Sequence, residues 1–181
     1  KRDWSSDVCS SDLAAFLKDS GVKKIAMIAT TDSTGEVAVA HAQKVFPDSG
    51  IALKLARIDL RANDASIQLA NIVDKDVKLI YSNYTGAGAA TVVKSYVNLG
   101  LDLPLLVNSG NVSAAFISVI KNDMPKRLLA AAVKGLVPES LTDAEERRRL
   151  AEFTKSYQAW RGEPIDQLAL NGLGVTDIIE A

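Results

Sequence analysis

The sequence predicts an α/β domain in which a parallel sheet is covered by helices on both faces, a three-layer doubly wound arrangement. Short continuous apolar runs recur at intervals of ~25–30 residues, the length of a βα unit. Strands that are buried on both faces read as such runs, whereas half-exposed strands alternate. The 181 residues, 48% hydrophobic and 24% charged, are enough for one globular domain with its own core.

The first unit begins at residue 24 with KIAMIAT, which predicts a strand, followed by the turn-like TDSTG. A helix is expected next, with Val37, His41 and Val45 on one stripe because they recur every four residues, and His41 is interpreted as helix-packed or half-buried. The Pro and Gly of FPDSG, residues 46–50, predict its end.

The same alternation continues along the chain. LKLARI at residues 53–58 predicts the second strand, and a helix carrying Ile67 and Ala70 is expected after it. The remaining predictions are strands at 77–82 and 103–107, a helix spanning Ala89 to Leu99 that ends at Gly100, and a helix around Phe116 and Ile120.

The regular alternation of predicted strands and helices ends after residue 122. The segment 127–137 is either a further strand or an extended crossing segment. Thr142 and Glu145 have the spacing of a capping box, which predicts a helix that GEP ends. Its aromatic residues, Phe153, Tyr157 and Trp160, are interpreted as core, and a last helix is expected over 167–181.

The stretch DWSSDVCSSDL, residues 3–13, has no hydrophobic period and predicts neither a strand nor a helix. Read as codons, it resembles the translation of a common short-read sequencing adapter. We therefore expect residues 1–13 to be an artefactual, disordered leader and residues 14–181 to form a single, incomplete α/β lobe. Cys9, the one cysteine, falls in the leader, so no disulfide or cysteine-based metal site is indicated.

Polar residues follow each of the first four predicted strands. In open α/β sheets, ligands bind beyond the carboxyl ends of the strands. Hydroxyls, amides and small residues dominate these loops, which favours a cleft that hydrogen-bonds a polar small molecule. The loops are TTDSTG (30–35), DLRAND (59–64), SNYTGAG (82–88) and NSGN (108–111).

Other function classes find little support in the residues. A net charge of −1 does not indicate a nucleic-acid surface. His41 is the single histidine, so a zinc site or a Cys–His pair is not expected. No GxSxG elbow is present, and GAGAAT has Thr91 where a dinucleotide fingerprint needs its third glycine. We therefore expect no enzyme activity, no cofactor and no metal.

The order of these segments resembles the second lobe of type I periplasmic substrate-binding proteins, and most of all the branched-chain amino acid ABC transporter group. The residues that carry the resemblance are LGLDLP before the fourth strand and the closing F-x-x-x-Y and GEP of the last region. The resemblance covers the chain from about residue 14 onward.

The resemblance implies a substrate-binding component of an ABC importer that holds a branched-chain amino acid or a related small carboxylate in a cleft between two lobes. It implies membrane permease subunits as partners, no nucleic acid, and a periplasmic or exported, lipid-anchored location. It places Thr34 where the family has a ligand-facing tyrosine, and it makes Asp59, Tyr84 and Asn108 the other candidate ligand-binding residues.

Two other functions remain open at this point. A Rossmann-like, nucleotide-dependent oxidoreductase uses a similar sheet, but it needs a glycine fingerprint after the first strand, where TTDSTG stands. An effector-sensing domain of a transcription regulator or receptor uses the same fold.

Overall fold

The computed structural model describes residues 6–132, 134–167 and 169–170. These residues form five strands and six α-helices. The strands are β1 (Lys24–Thr30), β2 (Ala52–Ile58), β3 (Ile80–Asn83), β4 (Leu105–Val107) and β5 (Leu128–Ala130). The helices are α1 (Ser6–Asp19), α2 (Ser33–Asp48), α3 (Ser66–Ile72), α4 (Ala87–Asn98), α5 (Ala114–Ile120) and α6 (Ala144–Arg161).

All five strands lie in one parallel sheet in the order β2-β1-β3-β4-β5, which confirms the predicted fold class. β1 pairs with β2 along its whole length, from Lys24 opposite Ala52 to Thr30 opposite Ile58. On its other side β1 pairs with β3, where Ala29 lies opposite Asn83. The segment after residue 127 therefore contains a strand, β5, at the edge beside β4.

Each face of the sheet is covered by its own helices, and the two faces have separate cores. On one face, Leu17 of α1 and Phe46 of α2 pack against a core that includes Met27 of β1. On the other face, the helices α3, α4 and α5 supply half of the buried core residues. The apolar residues of β1 alternate between the two cores, which explains why its sequence is a continuous apolar run.

The buried stripe of α2 differs from the predicted one. Val39, Ala42 and Phe46 are buried, whereas Val37 is 58% exposed. The prediction was wrong because the phase of the helix is set by a contact outside it: Gly35, in its first turn, packs against the backbone of Thr30. A similar difference occurs in α3, which buries Leu69 and Ile72 instead of Ile67 and Ala70.

The amino-terminal stretch is helical from Ser6 onward, so the expectation of irregular structure was wrong for residues 6–13. Ala14 and Leu17 are buried against the sheet, and extending an existing helix costs much less than starting one. The helix therefore continues into residues with no apolar period. The adapter origin of residues 1–13 stays a prediction, and residues 1–5 lie outside the described residues.

The last described helix, α6, begins one residue later than the capping box predicts. Asp143 is the N-cap and accepts a hydrogen bond from the amide of Glu146 at 2.8 Å. Gly162 ends the helix in the left-handed conformation, with φ of 72°. Leu150 is buried, but Trp160 is 77% exposed, so the aromatic row is not core in this structure. The final predicted helix lies mostly outside the described residues.

An ion-pair cluster joins the amino-terminal ends of the strands. The carboxylate of Asp74, in the turn before β3, lies 2.7 Å from Nζ of Lys24 in β1 and 3.0 Å from Nζ of Lys54 in β2. It also accepts hydrogen bonds from the amides of Asp76 and Val77. The hydrogen bond from Lys24, followed by that from Lys54, holds the pKa of Asp74 well below its usual range.

We expect the Asp74→Asn variant to be less stable than the wild type at pH 7 and to approach it in acid. The folded-state pKa of Asp74 is depressed, so its contribution to stability is complete above about pH 4 and is lost as the pH falls toward the folded-state pKa. Urea unfolding of both proteins between pH 3 and pH 7 measures the difference. Asp76→Asn, in the same turn, is the matched control, and a difference between wild type and Asp74→Asn that does not shrink in acid would contradict the assignment.

Candidate functional site

The carboxyl ends of β1 to β4 lie along one edge of the sheet, because all the strands are parallel. The four polar loops predicted from the sequence follow these strand ends and therefore share this edge. The chain leaves β1 toward β2 and leaves β3 toward β4, in opposite directions, so the gap between β1 and β3 is the topological switch point. Such switch points open a crevice in α/β sheets.

The loop after β1 is held by hydrogen bonds to Asp32. Its carboxylate caps α2 by accepting from the amide of Gly35 at 3.0 Å, and it also accepts from the hydroxyl of Thr30. These two interactions, with that from Thr30 the larger, lower the pKa of Asp32. Thr34, the second residue of α2, is left exposed at the rim of the edge.

The loop after β2 contains two carboxylates, Asp59 and Asp64, with different structural roles. Asp59 is exposed, and its side chain accepts a hydrogen bond from the amide of Arg61 at 2.7 Å. Asp64 accepts from the amide and hydroxyl of Ser66 and from the hydroxyl of Ser95 in α4. These bonds, led by that from the Ser66 hydroxyl, lower the pKa of Asp64. Asp64 therefore anchors the loop, whereas Asp59 faces solvent.

Tyr84, after β3, points into the protein. It is 3% exposed, and its hydroxyl donates to the carbonyl oxygen of Leu60 at 2.6 Å. Its ring lies so close to Gly88 that a side chain at Gly88 would overlap it. Burial, followed by the negative charge of Asp59, raises the pKa of Tyr84. In this structure Tyr84 joins the second and third loops and does not present its ring at the edge.

Amide side chains connect the third and fourth loops. Nδ2 of Asn108 donates to Oδ1 of Asn83 at 2.7 Å. Nδ2 of Asn111, which is 2% exposed, donates to the carbonyl oxygen of Tyr84, also at 2.7 Å. Asn83 and Asn108 are partly exposed, whereas Asn111 is buried between the loops. The first pair therefore lies at the surface of the edge, and Asn111 supports it from below.

The structure thus brings the predicted site residues to one edge but divides them. Thr34, Asp59 and Asn108 have solvent-accessible side chains there, and Tyr84 does not. One polar group at this edge was not anticipated: Arg57 of β2 forms an ion pair with Glu36 in the first turn of α2. A charged residue at the end of LKLARI was the available signal. The ion pair connects the end of β2 to the start of α2.

Two further features bear on what the site can do. Within the described ranges, no three His, Cys, Asp or Glu residues are arranged to hold a metal ion. An open groove of about 540 Å³ lies along α6, lined by residues that include Pro138, Leu150 and Gln158. Its lining contains no residue of the four polar loops, so the groove is separate from the candidate site.

A family model described as periplasmic binding protein matches residues 4–181, and the chain therefore belongs to this family. No curated protein matches the sequence significantly. Several solved structures share the fold at low identity. A leucine binding protein from Thermotoga maritima aligns with a TM-score of 0.74 and 16% identity over 90% of this chain and 45% of its own.

Two further solved structures, whose names give other ligands, resemble this chain with similar TM-scores. A solute binding protein of an ABC transporter from R. palustris, in complex with benzoate, has a TM-score of 0.73 and 19% identity over 97% of this chain. A fatty acid ABC transporter substrate-binding protein from Thermomonospora curvata has a TM-score of 0.72 and 16% identity over 93%. The chain spans 46% and 43% of these two structures, about half of each.

We expect Gly35→Ala to lower the free energy of unfolding by about 2 kcal/mol, because the new methyl group overlaps the carbonyl oxygen of Thr30 and pushes α2 away from β1. Denaturant unfolding measures the loss. Thr34→Ala, at the exposed neighbouring position, is the control and should change stability by less than about 0.5 kcal/mol. Equal stability of Gly35→Ala and wild type would show that the contact is not tight.

We expect Tyr84→Phe to cost about 1 kcal/mol of stability, since it removes the hydrogen bond to Leu60 and leaves the ring in place. Tyr157→Phe on α6 serves as the control, because its ring is only partly buried and its hydroxyl has no hydrogen-bond partner among the described residues. Thermal unfolding of the two variants compares them. An unchanged midpoint for Tyr84→Phe would mean that the hydroxyl does not join the loops.

Proposed function

We propose that this chain is one lobe of the substrate-binding component of an ABC importer, and that its ligand is a small polar solute, a branched-chain amino acid or a related small carboxylate. The ligand binds at the carboxyl edge of the sheet, in a cleft to which this lobe contributes one wall. Thr34, Asp59 and Asn108 contact it, and Tyr84 positions the loops that carry them.

The observation that carries the proposal is the meeting of four polar loops at the switch point between β1 and β3. Three of the four candidate residues are accessible there, on loops held by hydrogen bonds to the neighbouring strands and helices. Rigid loops with accessible hydroxyl, carboxylate and amide groups fit recognition of a small polar molecule. The leucine, benzoate and fatty acid named for the similar structures support a small carboxylate.

A binding role fits these groups better than catalysis. The carboxylates of Asp32 and Asp64 are occupied in capping and anchoring, and their pKa values are lowered, whereas a general base that works near neutral pH needs a raised one. The turn after β1 also carries no glycine fingerprint for a dinucleotide. Hydrogen bonding without chemical change is the simplest use of this edge.

The proposed partners are permease subunits in the membrane, and the proposed location is the periplasm or the outer face of the cell. The family is one of periplasmic binding proteins. No described helix combines the length and apolarity needed to span a bilayer. Delivery of ligand to a permease by release from the cleft is consistent with a protein that binds without reacting.

Isothermal titration of the 181-residue chain with leucine, valine and benzoate tests the proposal, with NADH as the probe for an oxidoreductase. We expect saturable binding of at least one of the first three, with a dissociation constant on the order of 1 mM, since one wall supplies part of the contacts. We expect none for NADH. A folded chain that binds NADH and none of the three solutes would overturn the proposal.

Placement of the ligand is tested with Thr34→Arg, which puts a long charged side chain at the rim. Binding of the solute should weaken at least about tenfold, because the side chain competes for the ligand's space, while the unfolding midpoint stays close to that of wild type. Thr142→Arg introduces the same residue at an exposed position before α6 and should bind as the wild type does. Equal binding by both variants would move the ligand away from the loop after β1.

A further inference from the structure

The orientation of the Asn108 side chain is determined by the backbone. Its Oδ1 accepts a hydrogen bond from the amide of Gly110 at 2.9 Å. A backbone N–H can only donate, so the group facing it must be the oxygen of the side-chain amide. Nδ2 of Asn108 therefore points the other way, toward Asn83.

The orientation of Asn83 follows from that of Asn108. Nδ2 of Asn108 is a donor and lies 2.7 Å from Asn83, so the atom it meets must be an acceptor, Oδ1. The hydroxyl of Tyr81 donates to the same oxygen at 3.1 Å. Both side-chain hydrogen bonds of Asn83 thus end on Oδ1. Asn108 and Tyr81 together fix the orientation of its side-chain amide.

The nitrogen of Asn83 remains available. Nδ2 carries two N–H donors, and no group of the described residues accepts from either. Asn83 is partly exposed at the end of β3, directly across from Ala29 at the end of β1. Its free donors are therefore at the switch point, between the two loops that diverge there.

The helix α4 starts four residues further along, at Ala87, and adds N–H donors at its first turn. Its N-cap is Gly86, no side chain caps it, and its first turn contains no acidic residue. The dipole of a helix favours negative charge at this end. The third loop thus presents donors from both Asn83 and the beginning of α4, and the side-chain oxygen of Asn83 is already used by Asn108 and Tyr81.

We propose that Asn83 is a specificity-determining residue of the cleft, which donates its Nδ2 hydrogens to an acceptor oxygen of the ligand, either a carboxylate or a carbonyl. This assignment rests on the proposed function, since it concerns the same site. It adds a direct contact that the loop pattern alone does not single out, and it gives the central part of this wall a preference for oxygen acceptors. A ligand group that can only donate, such as an ammonium, gains nothing from Asn83.

The side-chain amide of Asn83 can be observed directly by NMR of the ¹³C,¹⁵N-labelled 181-residue chain. Its resonances are assigned in the wild-type chain through their correlations to the Cβ and Cα resonances of Asn83. We expect benzoate or leucine to move these protons downfield on titration, as hydrogen bonding to oxygen does. Isopentylamine, an apolar amine without an oxygen acceptor, should leave them in place. Downfield movement with the amine, or none with a carboxylate that shifts the loop backbone amides, would overturn the proposal.

Asn83→Asp provides the binding test. The substitution keeps the oxygen that Asn108 and Tyr81 use and replaces the two donors by an acceptor, so the affinity for the carboxylate probes should fall at least about tenfold. Asn122→Asp makes the same charge change in the exposed turn after α5 and should bind as the wild type does. If Asn83→Asp fails to fold, the resonances of the wild-type side chain still decide the question.

The outcomes separate this inference from the proposed function. If a carboxylate shifts the amides of the four loops but Asn83→Asp and Asn122→Asp bind it equally, the role of Asn83 is refuted and the binding function stands. If no probe shifts any of the four loops, the binding function and the role of Asn83 fail together. If only Asn83→Asp loses affinity, both are supported.

Discussion

Burial of β1 on both faces, between β2 on one side and β3 on the other, is the constraint on which the remaining structure depends. Residues Ile25 to Ala29 are almost completely inaccessible, so the side chains of β1 need a helix layer above and another below. Connections between parallel strands must cross a face of the sheet, and the helices of those connections supply both layers. Because the strands are parallel, all their carboxyl ends lie at one edge of the sheet, and the polar loops meet there.

The strands and their order along the chain are largely predictable because two-sided burial leaves a continuous apolar run. The helical phase, meaning which residues of a helix face the core, is less predictable. The buried stripe of α2 depends on the close approach of Gly35 to Thr30, a contact between a helix and the strand before it that no periodicity within the helix reveals. The helical state of residues 6–13 likewise depends on packing of Ala14 and Leu17, which stabilises a helix whose earlier residues have no apolar pattern.

For the site, the loops were predictable but the directions of their side chains were not. Position after a strand end places Thr34, Asp59 and Asn108 at the edge, whereas the inward turn of Tyr84 depends on a carbonyl oxygen 24 residues away. The aromatic row of α6 shows the same limit, because spacing indicates which residues share a helix face but not what lies against that face. The free Nδ2 donors of Asn83 could not be predicted either, because they become apparent only when each hydrogen bond of its neighbours is accounted for.

The hydrogen bonds that join the second, third and fourth loops have a consequence for the thermodynamics of ligand binding. Asn83 is tied to Asn108, and Tyr84 is tied to both Leu60 and Asn111. Side chains that are already immobilised in the folded protein lose little rotational freedom when a ligand binds. The entropic cost of binding that comes from ordering side chains is therefore small. These hydrogen bonds therefore fix the shape of the wall before any ligand binds.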